Sequence, residues 1–382
     1  MQQIKSIQAL RALAALAVML AHLYGVENKH SEGALILTDA ALAGVSGVDL
    51  FFVISGFIMF WIAGDSAQSI RNSGRFIFAR VMRIYPVWWL FAGAMSAYFY
   101  LSYGTPWDAA IVEQFGIGGW QHLVKSMFLI PHEALPVLQV GWTLIHEMYF
   151  YLVFALLLLL PRSYRMPALF VWAITIIASV SAQVTGYTAD SIFSLVLFPM
   201  TLEFLIGGAA AWAMKKYAGQ FRWIALALGL VWLISAFAII DFTVAIYSTP
   251  TLRTIAFGPA FGLLVYALVS FEQSSRLGEF IPQSIVKVGD WSYSLYLSHL
   301  LVISAVARLF YPRFSADGLI DNLIFLILAS GAAIFVSAGT FYFFEHPLQS
   351  ISRRTRTALF GRGSSPSEKA NNDLSTRVSL PP

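Results

Sequence analysis

Arg11 and His22 stand eleven positions apart in the first apolar stretch, IKSIQALRALAALAVMLAHLYG. At 100° and about 1.5 Å per residue, eleven positions return to nearly the same helix face about 16 Å further along. The two side chains are therefore expected to look into one groove. Ionisable groups cost free energy in hydrocarbon, so such a pair is a functional candidate. A guanidinium grips phosphate bidentately. A neutral imidazole can take a proton from a hydroxyl or carry an acyl group as a nucleophile. The bland alternative is an arginine that snorkels inward and a histidine that merely bridges helices.

Other segments add polar groups to the same set. GVDLFFVISGF carries Asp49, and GWTLIHEMYFYLVF carries Trp142, His146, Glu147 and Tyr149. Asp49 or Glu147 is expected to orient the His22 ring, which makes His22, Glu147 and Asp49 the catalytic candidates. FARVMRIYP places Arg80 and Arg83 one helical turn apart, where with Arg11 they form a cationic mouth for the phosphates of a donor such as acyl-coenzyme A. Trp142, Tyr149 and His299 are the candidates for holding substrate. Glu203, His146 and Glu345 are weaker candidates, and Ser55 reads as a small residue for close packing. The absence of cysteine excludes a thiol nucleophile and a thiolate metal site, and no metal is expected.

The elements that must position these groups are membrane helices. Of 382 residues 58% are hydrophobic and only 12% charged, where a soluble domain has about 25% charged. A hydrocarbon core of about 30 Å needs roughly 20 helical residues. Ten segments fit, near 7–26, 45–63, 85–103, 142–160, 167–184, 191–213, 223–240, 254–271, 291–311 and 321–344. The fold class is thus an all-α polytopic bundle, since lipid cannot satisfy open backbone. With these spans, 19 of the 24 basic residues fall on the N-terminal side and five on the other, so both termini are expected to be cytoplasmic. The net charge of +4 belongs to these loops and does not indicate a nucleic-acid partner. The connection 104–141 is long enough to cap the bundle or dip into the interface. The membrane domain is read as 1–350, with a polar, disordered tail at 351–382.

The order of these elements resembles the acyltransferase-3 family of integral-membrane acyltransferases over roughly residues 4–347. IQALRALAALAVMLAH is similar to that family's Arg-x10-His signature, and RVMRIYP to its Arg-x-x-Arg-x-x-Pro element. GVDLFFVISGF, GWTLIHEMYFY, SYSLYLSH and FFEHPL follow in the family order. The form of GWT-x-x-x-E-M is most similar to the exopolysaccharide-production, succinoglycan-type branch, from which His146 before Glu147 departs. The resemblance implies transfer of acetyl from cytoplasmic acetyl-coenzyme A to a hydroxyl of an exopolysaccharide or lipid-linked glycan. It also implies a bacterial inner-membrane location and an association with polysaccharide synthesis machinery. A different class of function, a proton-coupled glycan or lipid transporter or flippase, would use His22 and Glu147 as a proton relay. Coenzyme A release separates the two.

Overall fold

The computed structural model describes residues 3–31, 35–182, 191–243, 250–275, 277–314 and 318–361. Its long helices are α1 (Lys5–His30), α2 (Gly47–Ala63), α3 (Ile70–Tyr103), α4 (Trp142–Leu157), α5 (Arg162–Ser181), α6 (Thr201–Tyr217), α7 (Arg222–Ile239), α8 (Pro250–Ser274), α9 (Gln283–Phe310), α10 (Leu319–Thr340) and α11 (His346–Phe360). Among the described residues there is no strand. Nine helical stretches among the described residues are long and apolar enough to cross a membrane, α10 and α11 counting as one stretch. The remaining expected span lies in α3, whose C-terminal half is diluted by Trp88, Trp89 and three tyrosines. At 34 residues it is about 51 Å long, so it overruns the hydrocarbon core and begins well before the expected residue 85.

The remaining departures have local causes. Pro199 breaks the span expected at 191–213 into a short helix, Ile192–Val196, and α6. The chain past residue 350 does not leave the bundle as expected. A π-helical turn, Phe341–Glu345, leads into α11, which stays helical to Phe360 and packs on α3. Residues 362–382, the rest of the expected tail, lie outside the described residues.

Two tight helix contacts organise the centre, α1 against α9 and α2 against α6. In lipid, helices associate through close packing of small residues more than through apolar burial. Gly56 and Gly207 meet this need reciprocally: a Cβ on Gly56 would collide with the Phe204 carbonyl, and one on Gly207 with that of Val53. Gly289 does the same for α9, lying against the carbonyl of Gln8. Beside this seam Phe52, Phe204 and Phe150 stack at centroid distances of 4.6 and 4.4 Å. The helices α5 and α7 are peripheral and present their apolar side chains outward.

The ends of α1 are held by carboxylates. Glu272 on α8 accepts the backbone N–H groups of Lys5 and Ser6, each at 2.8 Å, which satisfies free donors of the first turn. At the other end Glu27 accepts from Ile36 and Leu37 at 2.8 and 3.1 Å. Both anchors keep Arg11 and His22 at set depths. The 104–141 connection caps the bundle. It forms two short helices, Ala109–Gln114 and Gly119–Met127, and is tied to α3 by Tyr85, Trp88 and Trp89, which donate to the carbonyls of Phe128, Ser126 and Met127.

Candidate active site

The helices enclose two neighbouring cavities, one on each side of Tyr296. The first is lined by Arg11 from α1, Ser55 from α2, Arg80 and Arg83 from α3, Glu147 and Tyr151 from α4, and Tyr293 from α9. Three guanidiniums are thus brought together from two helices, as the sequence suggests. The Arg11 guanidinium donates to Gln8 Oε1 at 3.3 Å. The Arg80 guanidinium lies 5.2 Å from the ring centres of both Phe76 and Tyr151, which fixes it by cation–π attraction. Its Nε is buried with no hydrogen-bond partner among the described residues. A buried donor of that kind is costly to leave unmade, so the cavity suits an anion.

Glu147 is the carboxylate of this cavity. It accepts from Ser55 Oγ at 3.0 Å and from the Tyr151 hydroxyl in a short hydrogen bond. Ser55, expected to serve close packing, is therefore a polar partner. Tyr151 was legible as the residue one turn beyond Glu147, on the same helix face. Glu345 ends the π-helical turn, where such turns often mark functional positions. It is buried and accepts from Ser294 Oγ at 2.6 Å and Gln349 Nε2 at 3.0 Å.

The second and larger cavity is lined by His22, by His132 to Pro136, Gln139 and Val140 of the capping connection, by Trp142 and His146 of α4, and by Arg253 of α8. Arg11 and His22 thus do share a face of α1, but they open into two cavities rather than one groove. The linings have only Val48 and Tyr296 in common.

His22 is not oriented by Glu147 or Asp49. Its Nδ1 lies 2.9 Å from the Val18 carbonyl and 3.3 Å from Nε2 of His299. His299 is fully buried behind it, with Nδ1 3.1 Å from the Leu295 carbonyl. A carbonyl oxygen only accepts, so in the neutral rings both Nδ1 atoms carry the proton. His299 Nε2 then accepts from His22, and His22 Nε2 keeps its lone pair. The Val18 carbonyl thus sets the His22 tautomer, and His299, expected among the substrate contacts, lies behind the ring as a second acceptor for the same N–H.

Three further expectations are corrected. Glu147 follows His146 by one position, which is 100° around α4, so the two face different cavities and Glu147 joins the arginines. Asp49 is fully buried, lines neither cavity and is bonded to Arg253 Nη2 at 2.6 Å. It holds the arginine of the second cavity and makes no contact with His22. Tyr149 also lines neither cavity and packs edge-on against Trp172, 6.2 Å away. Trp142, in contrast, lines the second cavity. No group of three or more metal-ligating side chains occurs among the described residues.

Comparison with known proteins gives the family. The family described as acyltransferase domain, acyltransferase 3, matches residues 4–342. The exopolysaccharide production protein ExoZ of Rhizobium meliloti is 31% identical over 342 residues, 84% of this chain and 94% of its own. The acyltransferase MdmB of Streptomyces mycarofaciens is 25% identical over 331 residues, 80% of this chain and 81% of its own. No solved structure gives a significant match. A family match across nearly all of the helical bundle identifies the chain as a member of the acyltransferase-3 family, a multi-pass membrane acyltransferase for groups other than aminoacyl.

Proposed function

We propose that the protein transfers an acyl group, acetyl in the simplest case, from acyl-coenzyme A to a hydroxyl of an exopolysaccharide or its lipid-linked precursor. The observation that carries this reading is the division of labour between the cavities: three arginines line one, and an imidazole with a bare Nε2 lines the other. The donor's phosphates are held by Arg11, Arg80 and Arg83, whose forked donors match phosphate oxygens. Its thin thioester arm passes Tyr296 toward His22.

His22 Nε2 takes the proton of the acceptor hydroxyl. The resulting oxygen attacks the thioester carbonyl, the C–S bond breaks, and the thiolate recovers the proton from His22. An acyl-histidine intermediate uses the same nitrogen and the same atoms, with attack in two steps. Trp142 offers an aromatic face to a sugar ring in the second cavity. The positive-inside bias supports cytoplasmic termini, which puts the arginine cavity toward the side where acyl-coenzyme A is made. The name of the Rhizobium relative supports a polysaccharide acceptor, and with it a location in a bacterial inner membrane beside polysaccharide synthesis machinery.

The test uses membranes containing the protein and acetyl-coenzyme A, with thiol release and polymer acetylation read together. Wild type releases thiol in proportion to acetyl found on the polymer by NMR. His22→Ala inserts and folds but loses both. Substrate movement driven by a proton gradient with no thiol release would instead mark a transporter.

A further inference from the structure

Tyr296 stands where the two cavities meet. Its ring is 93% buried, edge-on to Phe51 at a centroid distance of 5.9 Å and tilted against His299 at 5.9 Å. Its hydroxyl is tethered, 2.9 Å from Thr143 Oγ1 and 3.2 Å from the Val140 carbonyl, to which Thr143 also donates. Val48 forms the opposite wall. One face of the ring therefore looks at the arginine and Glu147 chamber, and the other borders the His22–His299 pair. Thr143 gives its proton to Val140, so the single Tyr296 proton is shared between Thr143 Oγ1 and the Val140 carbonyl, and this polar tether between neutral groups is worth only about 1 kcal/mol net.

We propose that Tyr296 is a positioning residue that decides between acyl transfer and hydrolysis, by closing the neck between the cavities until an acceptor is in place. This rests on the donor reading above. With the neck closed, water in the His22 cavity is kept from the thioester. With it open and no acceptor present, His22 activates water instead. The water oxygen then bonds to the carbonyl carbon, the C–S bond breaks, and the water's proton passes to the thiolate, which gives a carboxylic acid and free thiol. Tyr296 is invoked only as a wall, and His22 remains the base for either nucleophile.

Two measurements test this. The chain contains no cysteine, so single cysteines can be introduced without background. Leu135→Cys, in the second cavity, identifies the membrane side from which a charged, impermeant thiol reagent enters. Ile58→Cys lines only the arginine cavity. From that same side it should react at least tenfold faster when combined with Tyr296→Ala than with Tyr296 intact. Val48→Ala, which trims the opposite wall, should act in the same direction and covers the case in which Tyr296→Ala fails to fold. An unchanged labelling rate in both variants overturns the partition. The second measurement is thiol release from acetyl-coenzyme A without acceptor. It should rise about tenfold in Tyr296→Ala relative to transfer, whereas a purely structural lesion lowers both together and overturns the proposal. Wild type that releases no thiol under any condition overturns the donor reading, whatever the labelling shows.

Discussion

Nε2 of His299 sits 3.3 Å from Nδ1 of His22, and each ring also contacts the carbonyl one helical turn before it. Two histidines thus form a directional chain, Leu295 carbonyl to His299 to His22, that ends on a lone pair in the second cavity. His299→Ala should therefore lower kcat on the order of 10- to 100-fold with little change in donor KM, part of the 10²–10⁴ a general base contributes. His299→Gln, whose amide oxygen can still accept from His22, should recover much of the loss. Steady-state acetyl transfer at several donor concentrations separates these outcomes.

The three arginines should behave differently. Replacing Arg11, Arg80 or Arg83 by Ala removes a charge-assisted contact worth about 1.5–3 kcal/mol, or roughly 10- to 100-fold in donor affinity. The change should appear in acyl-coenzyme A binding measured in detergent. A dephospho-analogue of the donor should show a smaller loss for whichever arginine meets the missing phosphate. Equal affinity for donor in all three variants would refute the assignment.

Asp49 is expected to matter for stability rather than chemistry. Its carboxylate and the Arg253 guanidinium are both buried and lie 2.6 Å apart. Removing Asp49 leaves Arg253 the neighbouring buried Glu203 carboxylate, so part of the cost of an unpaired buried charge, about 3–5 kcal/mol, is expected. Asp49→Ala should thus lower the thermal midpoint in detergent sharply. The double replacement Asp49→Leu with Arg253→Met should restore a large part of the stability, a result that a catalytic role for Asp49 does not allow.

His132, in the capping connection, supplies a pH dependence. Burial is the main cause that holds its imidazole below the ordinary 6.5, partly offset by its bond to the Ile130 carbonyl. The folded state therefore prefers the neutral ring. Its contribution to stability is complete above about pH 6.5 and declines below it, because the unfolded chain takes up the proton first. Amide protection factors in residues 128–141, corrected for the intrinsic slowing of exchange at lower pH, should fall between pH 7 and pH 5.5. His132→Asn, which retains a donor for Ile130 but does not titrate, should flatten that dependence.

Gly207→Ala should prevent assembly of the bundle. The added carbon has no space beside the Val53 backbone, so α2 and α6 must separate, and the Phe52–Phe204–Phe150 stack opens with them. Loss of folded protein on size exclusion in detergent is the expected result. An unaltered elution profile and melting curve would show that the helices can shift to accommodate it.

The helical bundle was legible in the residues because lipid leaves the backbone few options and apolar length measures a span directly. So was the common face of Arg11 and His22, and the gathering of Arg11, Arg80 and Arg83, because eleven and three positions are both helical repeats. What tertiary structure alone decided is which partner each group meets. His146 and Glu147 are neighbours in sequence, yet a 100° turn sends one to each cavity, and only the rotation of α4 against α2 and α9 says which. His299 reads as a lone histidine on an apolar helix. Its role depends on the close approach of α9 to α1, which Gly289 allows across a separation of 277 residues between the two rings. Asp49 looked catalytic because carboxylates are rare in hydrocarbon, but its neutralising arginine lies 204 positions away, and a one-dimensional pattern carries no record of such distant charge pairing.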